Sequence, residues 1–221
     1  MQIVRRLLAV SLLASLVVAG IASANHQDPQ KKLTKADNAR ARAMLLKRTD
    51  LAPGFRAQPS SGEDPHFDCP ASVSESDLTL TGEAESPQFR LGLTFLGSAS
   101  QTYASVADAD ASWRRTLSAA GVKCAATLFR REFARQGARL VSFRKIAFPR
   151  VYLSDRTVAF RLKLSATSAQ GPVPVFLDLV ALARSRAHVS VIVGSALVAP
   201  ERAYELDLAR IVAGRMAKAM S

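Results

Sequence analysis

Two cysteines are the residues of this chain best suited to chemistry: Cys69, in EDPHFDCP, and Cys124, in GVKCAATLFRREF. A cysteine becomes a nucleophile when a neighbouring histidine or cation lowers its thiol pKa and a third group orients the base. His66 and Asp68 stand near Cys69 in sequence, and Lys123 stands beside Cys124. Glu63, Asp64, His66, Asp68 and Cys69 are also metal-ligand types, yet the paired spacings of a zinc site, His-x3-His or Cys-x2-Cys, do not occur. With His26 in an N-terminal tail and His188 in a strand-like run, no histidine pair is apparent. No metal and no other cofactor is expected.

Compartment decides between the remaining readings. Arg5 and Arg6 precede an apolar run over 7–18 and then Ala22-Ser23-Ala24, the pattern of a secretory signal peptide over 1–24 cleaved between Ala24 and Asn25. The run is shorter than the roughly 20 apolar residues of a spanning helix, so no stable transmembrane anchor is expected. No cysteine stands at the cleavage point, which argues against a lipoprotein. The expected location is secreted, periplasmic or in the cell envelope. An exported chain with two cysteines reads most simply as one disulfide, Cys69 to Cys124, in an environment that would consume a free thiol. Such a cross-link removes about 4 kcal/mol of unfolded-state entropy in the chain-entropy description.

Other catalytic signatures are missing. There is no G-x-S-x-G, and Gly97-Ser98 and Gly194-Ser195 are placed at strand ends without a nucleophile elbow. Glu83 and Glu85 share one face of a strand, where alternation puts them in water rather than in a glycosidase cleft. The 11 glycines are scattered, so no loop cradles a phosphate. Charge remains. The formal net charge is +12, or +10 once Arg5 and Arg6 leave with the leader. Arg130, Arg131, Arg135, Arg139, Arg144 and Lys145 form a basic run that makes contact with an anionic envelope component an expectation. Aromatics are only 6% of residues, too few to interleave with stacked bases, and no nucleic acid partner is expected.

The elements that would carry these residues follow from periodicity. Residues 25–33 are polar and expected to be disordered. Thr34 is an N-cap, with Asp37 three residues on, for a helix through ADNARARAMLLKR that Pro53-Gly54 stops. A long loop crowded with Pro, Gly, Ser and acids follows and carries Cys69. Residues 77–86 and 89–103 alternate as strands, with Ser86-Pro87-Gln88 expected as the turn between them. Val106, Ala109, Trp113, Leu117 and Ala120 recur at helical steps, a stripe continued by Cys124 and Leu128, with Gly121 a place where one helix can become two.

Four further strands are expected at 138–148, 156–167, 173–184 and 187–197, joined by links short enough for antiparallel turns. In the second, Val158, Phe160, Leu162 and Leu164 alternate with Ala159, Arg161 and Lys163, one buried face and one wet. After Pro200 a closing helix aligns Tyr204, Leu208, Ile211, Val212 and Arg215. The order gives an α+β fold: a mainly antiparallel sheet of about six strands flanked by helices, one domain over 34–221 with one disulfide.

The helix running into DLAPGF, the loop cysteine followed by proline, the DADASWRRTL helix leading to a second cysteine, and the run VPVFLDLVALARSRAHVSVIV resemble a group of exported bacterial proteins. This order is similar to the PsbP-like fold and to the extracellular sensor domains of some bacterial serine/threonine kinases, over most of residues 34–220. The resemblance implies a helix–sheet–helix sandwich with a cleft and no assigned catalysis. Those sensor domains usually carry a second disulfide, for which this chain lacks the cysteines.

Three function classes follow. The first is a secreted, non-enzymatic binding or sensor-like protein for a small molecule, lipid or envelope component. The second is a secreted hydrolase whose groups converge only in space. The third binds an anionic polymer or membrane through the arginine run.

Overall fold

The computed structural model describes residues 29–58, 74–135, 137–168 and 171–221. The expected leader, residues 25–28 and the loop bearing His66, Asp68 and Cys69 lie outside them. Alternation over residues 156–168 yields β7 (Arg156–Ser168), which pairs antiparallel with β8 (Gly171–Arg184), from Arg156 opposite Ala183 to Ser168 opposite Gly171. β6 (Arg139–Ala147) flanks β7, and β9 (Ala187–Ala196) folds back on β8. The other side of β9 pairs antiparallel with β5 (Thr94–Tyr103).

Next to β5 the chain departs from expectation. β3 (Thr79–Glu85) and β4 (Gln88–Leu91) lie end to end along the same edge of β5, Glu85 opposite Ala99 and Phe89 opposite Leu96. Ser86-Pro87 therefore interrupts one strand path along β5 and does not reverse it. Pro87 has no N–H to give the ladder. Ser86 bridges the gap: its N–H donates to the Ser98 carbonyl and its Oγ accepts from the Ser98 N–H, both at 2.9 Å. Reversal occurs at Gly92-Leu93, where Gly92 takes φ +58°, open to glycine at little cost.

Two short strands complete the sheet. β2 (Arg56–Gln58) pairs with β4, and β1 (Gln30–Lys31) runs parallel to β3. Gln30 and Lys31, expected within a disordered tail, are tied down by the Gln30 and Lys32 N–H groups, which donate to Leu78 O and Leu80 O at 2.8 and 2.9 Å. The described residues thus form one nine-stranded, mostly antiparallel sheet rather than one of about six strands. The difference is β1, β2 and the separation of β4 from β5.

Helices cover both faces. α1 (Lys35–Met44) and α4 (Arg202–Ala219) lie on the face carrying Leu96, Val180, Val191 and Val193, with Met44, Leu208, Val212 and Met216 buried against them. α2 (Val106–Leu117) and α3 (Ala119–Arg135) lie on the other, where Phe129 and Phe133 pack on Phe95, Leu162, Leu177 and Ile192. Each such buried Leu, Ile or Phe side chain contributes about 1.5–3 kcal/mol of transfer free energy. The fold is α+β.

Two helical expectations are corrected in detail. The helical pair divides at Ser118, not at Gly121; Gly121 sits in the first turn of α3, where an added Cβ would lie 2.3 Å from the Thr116 carbonyl oxygen. Its missing side chain lets α3 start against the end of α2. Val106 and Ile211, assigned to inner stripes, are exposed, while Ala109 of the same α2 stripe is buried as expected and α4 buries Ala209 and Ala213.

Candidate functional site

Register places three cations on one side of the β6–β7 edge. Arg139 lies opposite Thr167 and Arg144 opposite Lys163, all on the face that carries α4 farther along the sheet. Directly paired residues of an antiparallel ladder share a face with Cβ atoms about 5 Å apart, so Arg144 and Lys163 are immediate neighbours. All three are exposed, and none has a carboxylate partner among the described residues. Lys163 lies 5.9 Å from the ring of Phe176, its partner on β8.

Two residues along β7 the same face carries an ionic cluster. The Arg161 Nε donates to Asp178 Oδ1 at 2.6 Å, and its Nη2 donates both to Asp178 Oδ2 and to the Pro200 carbonyl oxygen, the latter at 2.8 Å. Arg202 Nη1 donates to Glu205 Oε2 at 3.1 Å, while Glu205 Oε1 lies 3.6 Å from Arg161. Phe148 stacks beneath both guanidinium groups, 5.3 Å from that of Arg161 and 4.0 Å from that of Arg202. Asp178 and Glu205 are buried side by side. Burial, then the neighbouring Asp178 carboxylate, pushes the Glu205 carboxyl up to about 8.

This cluster fixes the segment between β9 and α4. At its start the Leu197 N–H donates to Pro174 O at 2.9 Å, and at its end Pro200 is held by Arg161. Between these pins Leu197 takes φ +72°, a region a bulky side chain rarely adopts. Leu197 and Val198 point into solvent, 53% and 71% exposed.

The six cations of the sequence run are not brought together. Arg130 and Arg131 are exposed on α3, across the sheet from Arg139 and Arg144; Arg135 pairs with Glu132 at 3.2 Å. Lys145 belongs to the α3 side, its ammonium 4.3 Å from the centre of the Phe160 ring, and desolvation there lowers its pKa. Sequence reasoning placed Arg161 and Lys163 in water and missed Arg202. The available signal was Asp178, an acid inside the apolar run VFLDLV.

Beneath α2 lies a second polar group. The Ser112 hydroxyl donates to Glu75 Oε1 at 2.6 Å, and the Tyr103 hydroxyl lies 2.7 Å from Ser112 Oγ and 3.1 Å from Gln101 Oε1. Burial raises the pKa of Glu75 and that of Tyr103. The His188 ring stands 5.2 Å from Tyr103 and 5.4 Å from Trp113, and Arg156 lies over Trp113 while paired with Asp110. Burial, then the charge of Arg156, depresses His188 to about 4. Its Nε2 has no hydrogen-bond partner among the described residues, so the histidine is not placed as a base on the Ser112 hydroxyl.

The remaining sequence candidates take structural places. Cys124 is buried on α3, and there is no free cysteine among the described residues. Glu83 is paired with Lys31 at 2.9 Å, and Glu85 is exposed on the same strand. Gly97-Ser98, expected at a strand end, lies inside β5, and the Ser98 Oγ accepts from the Leu46 N–H at 2.8 Å. Among the described residues no group of three or more His, Cys, Asp and Glu is arranged to hold a metal ion. Nor is any described helix long and apolar enough to cross a membrane.

No protein-family model matches the chain, and no curated protein matches it. Among solved structures it is similar to the extracellular domain of PknH from Mycobacterium tuberculosis, at 10% identity and a TM-score of 0.43, over 83% of this chain and 96% of that one.

Proposed function

We propose that this chain is an exported, non-enzymatic binding protein that takes an anionic component of the cell envelope on the outer face of β6 and β7. One observation carries the reading: Arg139, Arg144 and Lys163 share that face, exposed and without acidic partners among the described residues. Cations that serve structure in this protein look different. Arg186 and Arg215 each grip a carboxylate with two hydrogen bonds, on Asp37 and Asp50.

Export through the leader over 1–24, a single unit over 34–221 and a Cys69–Cys124 disulfide belong to the same reading. The burial of Cys124 and the lack of a free cysteine among the described residues support the last of these. The hydrolase alternative gains nothing from the Ser112 cluster, whose hydroxyl donates to Glu75 rather than to His188.

Retention of the mature protein on a polyphosphate-coated matrix tests the proposal. It should fall steeply with ionic strength, because exposed charges are screened within about 10 Å at 0.1 M salt. Replacing Arg139, Arg144 and Lys163 together with Gln should release the protein at lower salt than the same change at Arg130, Arg131 and Arg135. Equal elution of the two triple variants removes the β6–β7 face from the proposal.

A further inference from the structure

We propose that the segment from Leu197 to Pro200 is an apolar tip that enters the headgroup layer of an anionic lipid surface, steered there by the cations of the β6–β7 face. The inference rests on the anion-binding reading for its electrostatic part and on the tip itself for the rest. Isolated exposed aliphatic residues are ordinary on a protein surface. This pair is not isolated in that sense. Leu197 is held outward in a left-handed conformation, and the backbone on either side is anchored, to Pro174 on β8 and to Arg161 on β7.

Such a backbone outlier persists only where its surroundings impose it, and the imposing groups are identifiable: buried Asp178 orients Arg161, and Arg161 holds Pro200. Asp178 and Arg161 are positioning residues for the tip.

Charge selects the partner. Phe176 of β8 lies between Lys163 of β7 and Ser195 of β9, so Lys163 is two strand spacings, about 10 Å, from the end of β9 where the tip begins. Arg144 is the next residue outward. An aliphatic tip beside Arg and Lys that have no acidic partner among the described residues is the composition of a surface that lies on anionic bilayers, with apolar groups sinking about 5–10 Å into the headgroup boundary. A soluble anionic polymer would use the cations and leave the tip untouched.

That distinction gives the experiment. Binding is measured by flotation with phosphatidylcholine vesicles, with and without phosphatidylglycerol, and in parallel by retention on polyphosphate. The natural chain should bind only the vesicles that contain phosphatidylglycerol. Leu197→Ser with Val198→Ser should weaken vesicle binding by about tenfold or more, the loss expected for removing two partly inserted aliphatic side chains, while polyphosphate retention stays as it was. The triple Gln variant at Arg139, Arg144 and Lys163 should lose both.

Unchanged flotation of the tip variant overturns the inference. So does polyphosphate retention without any vesicle binding by the natural chain, an outcome that leaves the anion-binding reading standing. A tip variant that loses both activities also overturns it, since the tip would then act through the fold. In a Val198→Trp variant the indole emission should shift to the blue on adding phosphatidylglycerol vesicles; no shift counts equally against insertion.

Discussion

The imidazole of His188 meets the indole of Trp113 edge-on, ring centres 5.4 Å apart and planes inclined by 63°. Trp113 is the chain's single tryptophan, so its fluorescence reports directly on the packing around this histidine. The folded pKa of His188, about 4, lies below the ordinary 6.5. Its contribution to stability is therefore full above about pH 6.5 and is lost as pH falls from there to 4, where the unfolded chain takes up the proton first. The loss amounts to about 3 kcal/mol. Urea midpoints followed by Trp113 emission should fall between pH 7 and pH 4.5, and His188→Phe should remove much of that fall.

Glu205 works in the opposite sense. Its carboxyl is raised to about 8, chiefly by burial, so the folded state holds a proton that the unfolded chain releases near 4.5. The stability linked to it is complete below that value and declines as pH rises through 8. Glu205→Gln keeps the neutral shape, and its urea midpoint should change less between pH 5 and pH 9 than that of the natural chain. A parallel decline in both proteins would refute the assignment.

Removing one partner of the Arg161–Asp178 pair leaves the other charge desolvated. Asp178→Asn should cost about 3–5 kcal/mol, visible as a lower urea midpoint. Converting the pair together, Arg161→Met with Asp178→Leu, should recover most of that loss, because well-packed apolar replacements of buried ion pairs are often neutral. The double variant should nevertheless lose the grip on Pro200 and with it the order of residues 197–200. Faster amide exchange in α4's first turn would show this.

Cys124 offers a chemical test. If it is joined to Cys69, intact mass should rise by two hydrogens on reduction, and reductant should lower stability by about 4 kcal/mol, the chain-entropy value for so long a loop. Two alkylated thiols in the unreduced protein would contradict the pairing.

Much of the sheet was legible because alternation fixes both the position and the face of a strand: β7 begins at the expected residue, and the ends of β8 and β9 fall within two. What alternation leaves open is whether a face is covered. Arg161 and Lys163 occupy equivalent polar positions on β7, yet Lys163 is exposed while Arg161 is drawn to a buried carboxylate next to α4. Pro87 misled for a related reason. Proline marks the loss of a ladder hydrogen bond, which a break between two strand segments satisfies as well as a turn does. The packing of the His188 ring required Trp113 from α2 and Tyr103 from β5, contacts with no local signature.

The pairing of β5 with β9 has a kinetic consequence. It sets Thr94 opposite Ser195, about a hundred residues later in the chain, and these two strands stand in the middle of the sheet. Loops of that length close slowly, and contacts across them form late. Until β9 has been synthesised, β5 has no neighbour on the side away from β3 and β4. The middle of the sheet therefore cannot close until the last strand has been made, and the topology itself delays folding.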